Sequence, residues 1–113
     1  MKKKNIIKKE QEFTDIIHNC KYEKNKYFVI YYKENKEHNR YGISVPTKIG
    51  KANVRNKIKR RIKNIIDINE FNVHKSYDYV IIIRKRLIEL NYKEIEENLL
   101  SLINRIGAQD EKK

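Results

Sequence analysis

The sequence predicts a single α+β domain, an α-β sandwich with element order α-β-β-α-β-α, and three observations carry that prediction. The chain has 113 residues, enough for one modest core and too few for two. Apolar residues recur at helical spacing in three separate stretches. Around them lie runs of β-branched and aromatic residues of strand length. Three Gly and one Pro leave no linker or repeat to divide the chain. The division expected is a basic N-terminal tail (1–8), the domain (9–106) and a C-terminal tail (107–113).

The first helix is expected over about Lys9–Asn19, where Phe13, Ile16, Ile17 and Cys20 fall at i, i+3, i+4 and i+7. "KYFVIYYK" (26–33) predicts a strand, with Tyr27, Val29 and Tyr31 on one face and Phe28, Ile30 and Tyr32 on the other. "KENKEHN" is polar enough for a turn. "RYGISVPTK" (40–48) predicts the next strand, ended by Pro46, which cannot donate into a central ladder. These two strands are expected to pair as a hairpin. A helix over about Ala52–Ile68 follows, entered through Gly50, with Asn53 as candidate cap. "NEFNVHKS" is a loop, and "YDYVIIIRK" (77–85) has the apolar run of a central strand covered on both faces. A last helix over about Tyr92–Arg105 sets Ile95, Leu99, Leu102, Ile103 and Ile106 on one side.

Charge points to a partner. The net charge of +12 and pI near 9.8 favour a polyanion, with nucleic acid ahead of an acidic membrane or an acidic protein. A composition rich in Lys, Ile, Asn and Tyr explains the excess but not its clustering. Lys48, Lys51, Arg55, Lys57, Lys59, Arg60, Arg61 and Lys63 follow one another without a carboxylate, whereas 88–110 holds Glu89, Glu94, Glu96, Glu97 and Asp110 against Lys93 and Arg105. At about 100° per residue, Val54, Ile58, Ile62 and Ile65 form a stripe for the sheet, while Arg55, Asn56, Lys59, Arg60 and Lys63 project from the other side. A merely solvated helix face would mix in Glu at i, i+4; this one does not.

Chemistry is harder to find. Cys20 is alone, so no intrachain disulfide forms and a reducing cytoplasm is expected. His18, His38 and His74 are scattered without acids or Cys at ligand spacing, which argues against a metal site. There is no Gly-rich phosphate loop and no nucleophile elbow. A self-sufficient nuclease using His18 or His74 stays a rival, and it predicts cleavage by the protein alone. The longest apolar run, "YVIII" at 79–83, is far short of a membrane span, so a soluble protein without a membrane partner is expected. Phe13, Tyr27, Phe28, Tyr31, Tyr32 and Tyr41 offer stacking platforms for unpaired bases, although a domain this small needs most of them in its core.

"KKEQEFTDII", "YFVIYY", "YGISVPTKIGKANVRNKIKRRIKNII" and "YDYVIIIRK", in this order, resemble the protein subunit of bacterial ribonuclease P over about Lys3–Leu102. The most specific part is Arg55-Asn56 followed by Lys59-Arg60, preceded by "SV-x-x-K-x-G". Lys57 stands where Arg is usual, losing a planar two-pronged donor; Lys63-Asn64, Arg86 and Ile17 also depart from the common pattern. The resemblance implies a ribosomal-protein-like fold with a left-handed βαβ crossover, an exception to the right-handed rule. It implies an accessory subunit of a ribonucleoprotein endonuclease, one protein per RNA, in which the RNA cuts precursor tRNA with Mg²⁺ held mainly by RNA and substrate. It implies RNA-subunit contacts at Lys48, Lys51, Arg55, Asn56, Lys57, Lys59, Arg60 and Lys63. Contacts to the 5′ leader are implied at Phe13, Ile17, Tyr31, Ser44, Arg55 and Asn56, with no catalytic residue, no protein-bound metal and no DNA partner. The alternatives are a ribosomal or other non-enzymatic RNA-binding protein and a small DNA-binding protein. The latter expects a helix-turn-helix, whereas a strand precedes this basic helix.

Overall fold

The apolar run near residue 80 organises the sheet. In the computed structural model, which describes residues 6–7, 21–35, 37–69 and 76–111, that run forms a strand buried at every position except Ser76 and Ile82. The expected first helix, with Phe13, Ile17, His18 and Cys20, lies outside the described residues, as does His74. The elements are β1 (Lys21–Lys24), β2 (Phe28–Asn35), β3 (Arg40–Ser44), a 3-10 turn at Thr47–Ile49, α1 (Ala52–Asn69), β4 (Ser76–Ile83), a 3-10 turn at Lys85–Glu89, and α2 (Tyr92–Glu111). The sheet order is β1-β2-β4-β3.

Two expectations about the sheet are corrected. β2 and β3 do not form a hairpin: β4 inserts between them, antiparallel to β2 and parallel to β3. The most apolar strand takes the position where both faces are covered, and the polar stretch after β2 carries the chain past it. The parallel β3–β4 pair requires a crossover, and α1 supplies it. β2 instead pairs with β1, a strand that "KYEK" does not advertise. The turn between them is fixed by Asn25, whose Oδ1 accepts the N–H groups of Tyr27 (2.8 Å) and Phe28 (2.9 Å).

Both helices pack on one face of the sheet. Phe28, Ile30, Tyr32, Tyr41, Tyr79 and Ile81 from the strands meet Ile58, Ile62, Ile65 and Ile66 of α1 and Ile95, Leu99, Leu102, Ile103 and Ile106 of α2. Val54, expected in the α1 stripe, is 39% exposed, while Ile66 takes a core place. Val54 lies a turn ahead of the sheet contact and rests over Gly50, where a Cβ would come within 3.3 Å of it. α2 begins with a capping box: Asn91 Oδ1 accepts the Glu94 N–H (2.9 Å) and Glu94 Oε1 accepts that of Asn91 (3.1 Å). The helix continues through Glu111, beyond its expected end at Arg105.

Four tyrosines form a chain through this core. The rings of Tyr41 and Tyr79 stack at 5.3 Å, and Tyr77 bridges Tyr79 and Tyr32 at 5.7 Å each. Burial pushes the Tyr41 phenol up to about 12, against a smaller opposing effect of its hydrogen bond with Asn39; burial also raises Tyr79. Tyr32, Tyr41 and Phe28 are therefore core residues and not stacking platforms, and Tyr27 packs half-buried against the same core.

Candidate RNA-binding surfaces

The entry to α1 is built backbone first. Ile49 is buried in the 3-10 turn, and the Lys51 carbonyl accepts the Arg55 N–H at 3.0 Å, opening the helix. Lys51 therefore caps α1; Asn53 sits in the first turn, its Oδ1 taking the Val54 N–H at 3.0 Å. No carboxylate occupies that turn, so the positive end of the helix dipole adds to the side-chain cations. Arg55 folds back and donates from Nε to the Gly50 carbonyl at 3.2 Å, which orients its guanidinium over the entry.

Arg55, Lys59 and Lys63 are not opposite the buried stripe, as expected, but flank it as a half-buried ridge. Their aliphatic stems cover the edge of the isoleucine stripe and leave the charged ends in water. Asn64, on the other flank, donates to the Tyr92 hydroxyl at 2.8 Å, which places α2 on that side and leaves the ridge facing away from it. Asn56 and Arg60 are exposed beyond the ridge, whereas Lys57 is exposed on the Asn64 side of the helix. Among the described residues none of the eight cations between Lys48 and Lys63 makes an ion pair.

The strand register defines a second surface on the sheet face that carries neither α1 nor α2. Tyr22, Tyr31, Val80 and Gly42 form one row across it; Lys24, Val29, Ile82 and Ser44 form the next. Tyr31 and Ser44 thus share this face on opposite sides of β4. Ile7, 3% exposed, docks here against Val80, its N–H bonded to the Tyr41 carbonyl at 3.0 Å. A third row holds Lys33, Asp78 and Arg40, in which Arg40 grips buried Asp78 through Nε–Oδ1 and Nη2–Oδ2 contacts of 2.8 Å each.

An apolar-floored sheet face beside an uncompensated cationic ridge suits RNA, and comparison with known proteins decides which kind. The family model described as Ribonuclease P matches residues 1–107. The chain belongs to the ribonuclease P protein family. It is 46% identical over 108 residues to the ribonuclease P protein component of Mycoplasma capricolum, covering 94% of this chain and 99% of that one. It is 41% identical over 116 residues to that of Bacillus mycoides, covering all of both. Among solved structures, the Staphylococcus aureus RNase P protein aligns with a TM-score of 0.83 at 30% identity, over 90% of this chain and 94% of that one. The Thermotoga maritima protein aligns at 0.80 and 33%, over 88% and 94%. Nothing in these relatives supports the ribosomal reading.

For a ribonuclease P protein, the sequence-expected residues divide as follows. Lys48, Lys51, Arg55, Asn56, Lys57, Lys59, Arg60 and Lys63 all fall on α1 or its entry. Tyr31 and Ser44 fall on the second sheet face, while Phe13 and Ile17 lie outside the described residues. Sequence reasoning missed a hollow of about 260 Å³ at the end of β4, where Lys26, Arg84, Lys85 and Arg86 join Lys48 around Pro46 and Ile82. The "RKR" cluster directly after the strand was its only signal. It also missed Tyr22, which belongs to the unadvertised β1. Among the described residues no cluster of His, Cys, Asp and Glu has the makings of a metal site, and no helix is long and apolar enough to cross a membrane.

Proposed function

We propose that this chain is the protein subunit of ribonuclease P, assisting removal of the 5′ leader from precursor tRNA. Cleavage itself belongs to the RNA subunit, with Mg²⁺ held mainly by RNA and substrate, one protein serving each RNA in the cytoplasm. The α1 ridge, through Arg55, Lys59, Lys63 and the exposed Asn56, Lys57 and Arg60, meets the RNA subunit; Lys48 and Lys51 extend that contact. Tyr31 and Ser44, with Phe13 and Ile17 of the N-terminal segment, receive the single-stranded leader, and Arg55 and Asn56 reach its path from the α1 entry.

The observation that supports this reading best is the separation of two chemistries on one domain of this family: unpaired cations on α1 and an aromatic, partly apolar sheet face beyond it. Cations next to RNA lower the repulsion among leader, RNA and substrate phosphates, which reduces the Mg²⁺ needed for binding. The sheet face adds stacking that tolerates any base. The test is cleavage of a precursor tRNA at low Mg²⁺ by a bacterial ribonuclease P RNA with and without the protein, and by the protein alone. Stimulation only in the presence of the RNA is the expected result. Cleavage by the protein alone would overturn the division of labour, and no effect with folded protein would overturn the subunit reading.

A further inference from the structure

β1 places an aromatic side chain where the core does not require one. Tyr22 is 53% exposed on the outermost strand of the sheet. The antiparallel register sets it opposite Tyr31, and Lys24 opposite Val29, so both point to the second sheet face. The two rings lie 5.5 Å apart and tilted by 43°, a geometry that leaves the outer side of Tyr22 uncovered. Edge strands are kept soluble by lysines, and Lys21 and Lys24 already do that here. A half-wet tyrosine between them calls for another role.

The charges around it narrow that role. Glu23, the one carboxylate of β1, points to the opposite face, where Arg105 meets it at 3.5 Å. On the Tyr22 face the strands supply Lys24 and Lys33, and the one strand carboxylate there, Asp78, is already held by Arg40 at 2.8 Å. An exposed ring flanked by these two lysines, which make no ion pair among the described residues, fits an unpaired nucleotide strand, with the base on the ring and the phosphates toward the lysines.

We propose that Tyr22 is a second base-stacking platform, extending the path of a single-stranded RNA from Tyr31 to the outer edge of the sheet. This rests on the leader reading above and adds a residue to it. Ser44 lies on β3 and Tyr22 on β1, the two outer strands of the sheet. Nucleotides at Tyr22 are therefore those farthest from the α1 entry, and only long leaders reach it.

The test uses the reconstituted RNA–protein enzyme and precursor tRNAs whose leaders are lengthened one nucleotide at a time. Tyr22→Leu keeps an apolar cover but no π face; Tyr22→Phe keeps the π face without the hydroxyl. Affinity should fall about tenfold for Tyr22→Leu, within the usual range for one stacked base, and only at leader lengths beyond those at which Tyr31→Leu already shows its loss. Tyr22→Phe should bind as the parent does. If Tyr22→Leu matches the parent at every length while Tyr31→Leu shows a leader-dependent loss, the Tyr22 proposal falls and the leader reading stands. If neither depends on leader length, the leader reading falls with it. Equal losses at all lengths, or a Phe variant as weak as Leu, would also overturn the stacking role. Matched thermal midpoints verify that each variant is folded.

Discussion

Replacing Lys59 and Arg60 together by alanine tests the α1 surface through the quantity that phosphate contacts control. Each protein cation that neutralises a phosphate contributes about 0.7 to 0.9 to the slope of log affinity against log salt, because it releases a condensed counterion. If all eight cations from Lys48 to Lys63 act in this way, the slope for binding the RNA subunit is roughly −6 to −7. The double variant should be shallower by roughly 1.5, so that a fourfold rise in salt weakens it about tenfold less than the parent. The assay is a titration of labelled RNA subunit at several monovalent salt concentrations and constant Mg²⁺. Asn56→Ala serves as control, since it removes hydrogen-bonding groups but no charge and should leave the slope unchanged. Parallel lines for parent and double variant, with only the intercept displaced, would refute the assignment of Lys59 and Arg60 to phosphates.

Three further perturbations follow from other parts of the structure. Arg40→Ala leaves the Asp78 carboxylate, 7% exposed, with the Asn35 Nδ2 donor at 2.7 Å as its one remaining partner among the described residues; loss of one partner of a buried pair should lower the unfolding free energy by about 3 kcal/mol in urea titrations, and a loss under about 1 kcal/mol would mark it as a surface pair. Tyr31→Ala should weaken binding of long-leader precursor tRNA about tenfold while binding of the RNA subunit is little affected; equal loss in both assays would contradict the two-surface arrangement. For Tyr41, a phenol at about 12 when folded and 10.0 when unfolded means the unfolded chain ionises first. Its stabilising effect is complete below pH 10 and is lost as pH rises toward 12, by about 3 kcal/mol. Tyr79 shifts in the same direction. Tyr41→Phe should flatten that decline in denaturation curves taken on either side of pH 10, and an unchanged decline would refute the assignment.

The basic helix was legible because local and tertiary signals agree there: isoleucines at i, i+4 fix its inner face, and Gly50 and the 3-10 turn fix its start. The central place of β4 was legible for a similar reason, since only double burial accommodates "YVIII". Pairing was not legible. The polar stretch after Asn35 has the composition of a hairpin turn, and nothing local reveals that the chain passes β4 before β3 begins. β1 escaped because "KYEK" alternates without an apolar face; the sheet edge and the Asn25 turn make it a strand. The two faces of β2 followed from alternation over Phe28–Asn35, but Tyr27, expected on the Tyr31 face, precedes the strand and packs against the helix-side core; which face the helices would take depended on Phe28 and Tyr32 packing beneath them. Tyr22 was lost with β1, and the basic hollow was lost because Lys26, Lys48 and Arg84–Arg86 are brought together only by the fold.

The placement of acids explains why a protein of such charge has an oriented surface instead of a uniformly sticky one. On the sheet, Glu23 is turned toward α2 and held by Arg105, and Asp78 is neutralised by Arg40 and Asn35. Glu94, Glu96 and Glu97 ride on α2, and Asn69 of α1 donates to Glu96 at 3.1 Å. Glu23, Glu94, Glu96 and Glu97 thus lie on the α2 side and Asp78 is consumed inside the sheet, while among the described residues the cations of the α1 ridge and its entry make no ion pair. Repulsion between Arg55, Lys59 and Lys63 costs only about 0.2 to 0.5 kcal/mol per i, i+4 pair, whereas each buried isoleucine of α1 contributes about 1.5 to 3 kcal/mol. The local repulsion is therefore too small to break a helix anchored by Ile58, Ile62, Ile65 and Ile66. What the ridge gains is direction: a polyanion approaching from any side is drawn to α1 and the sheet face beyond it, and repelled from α2.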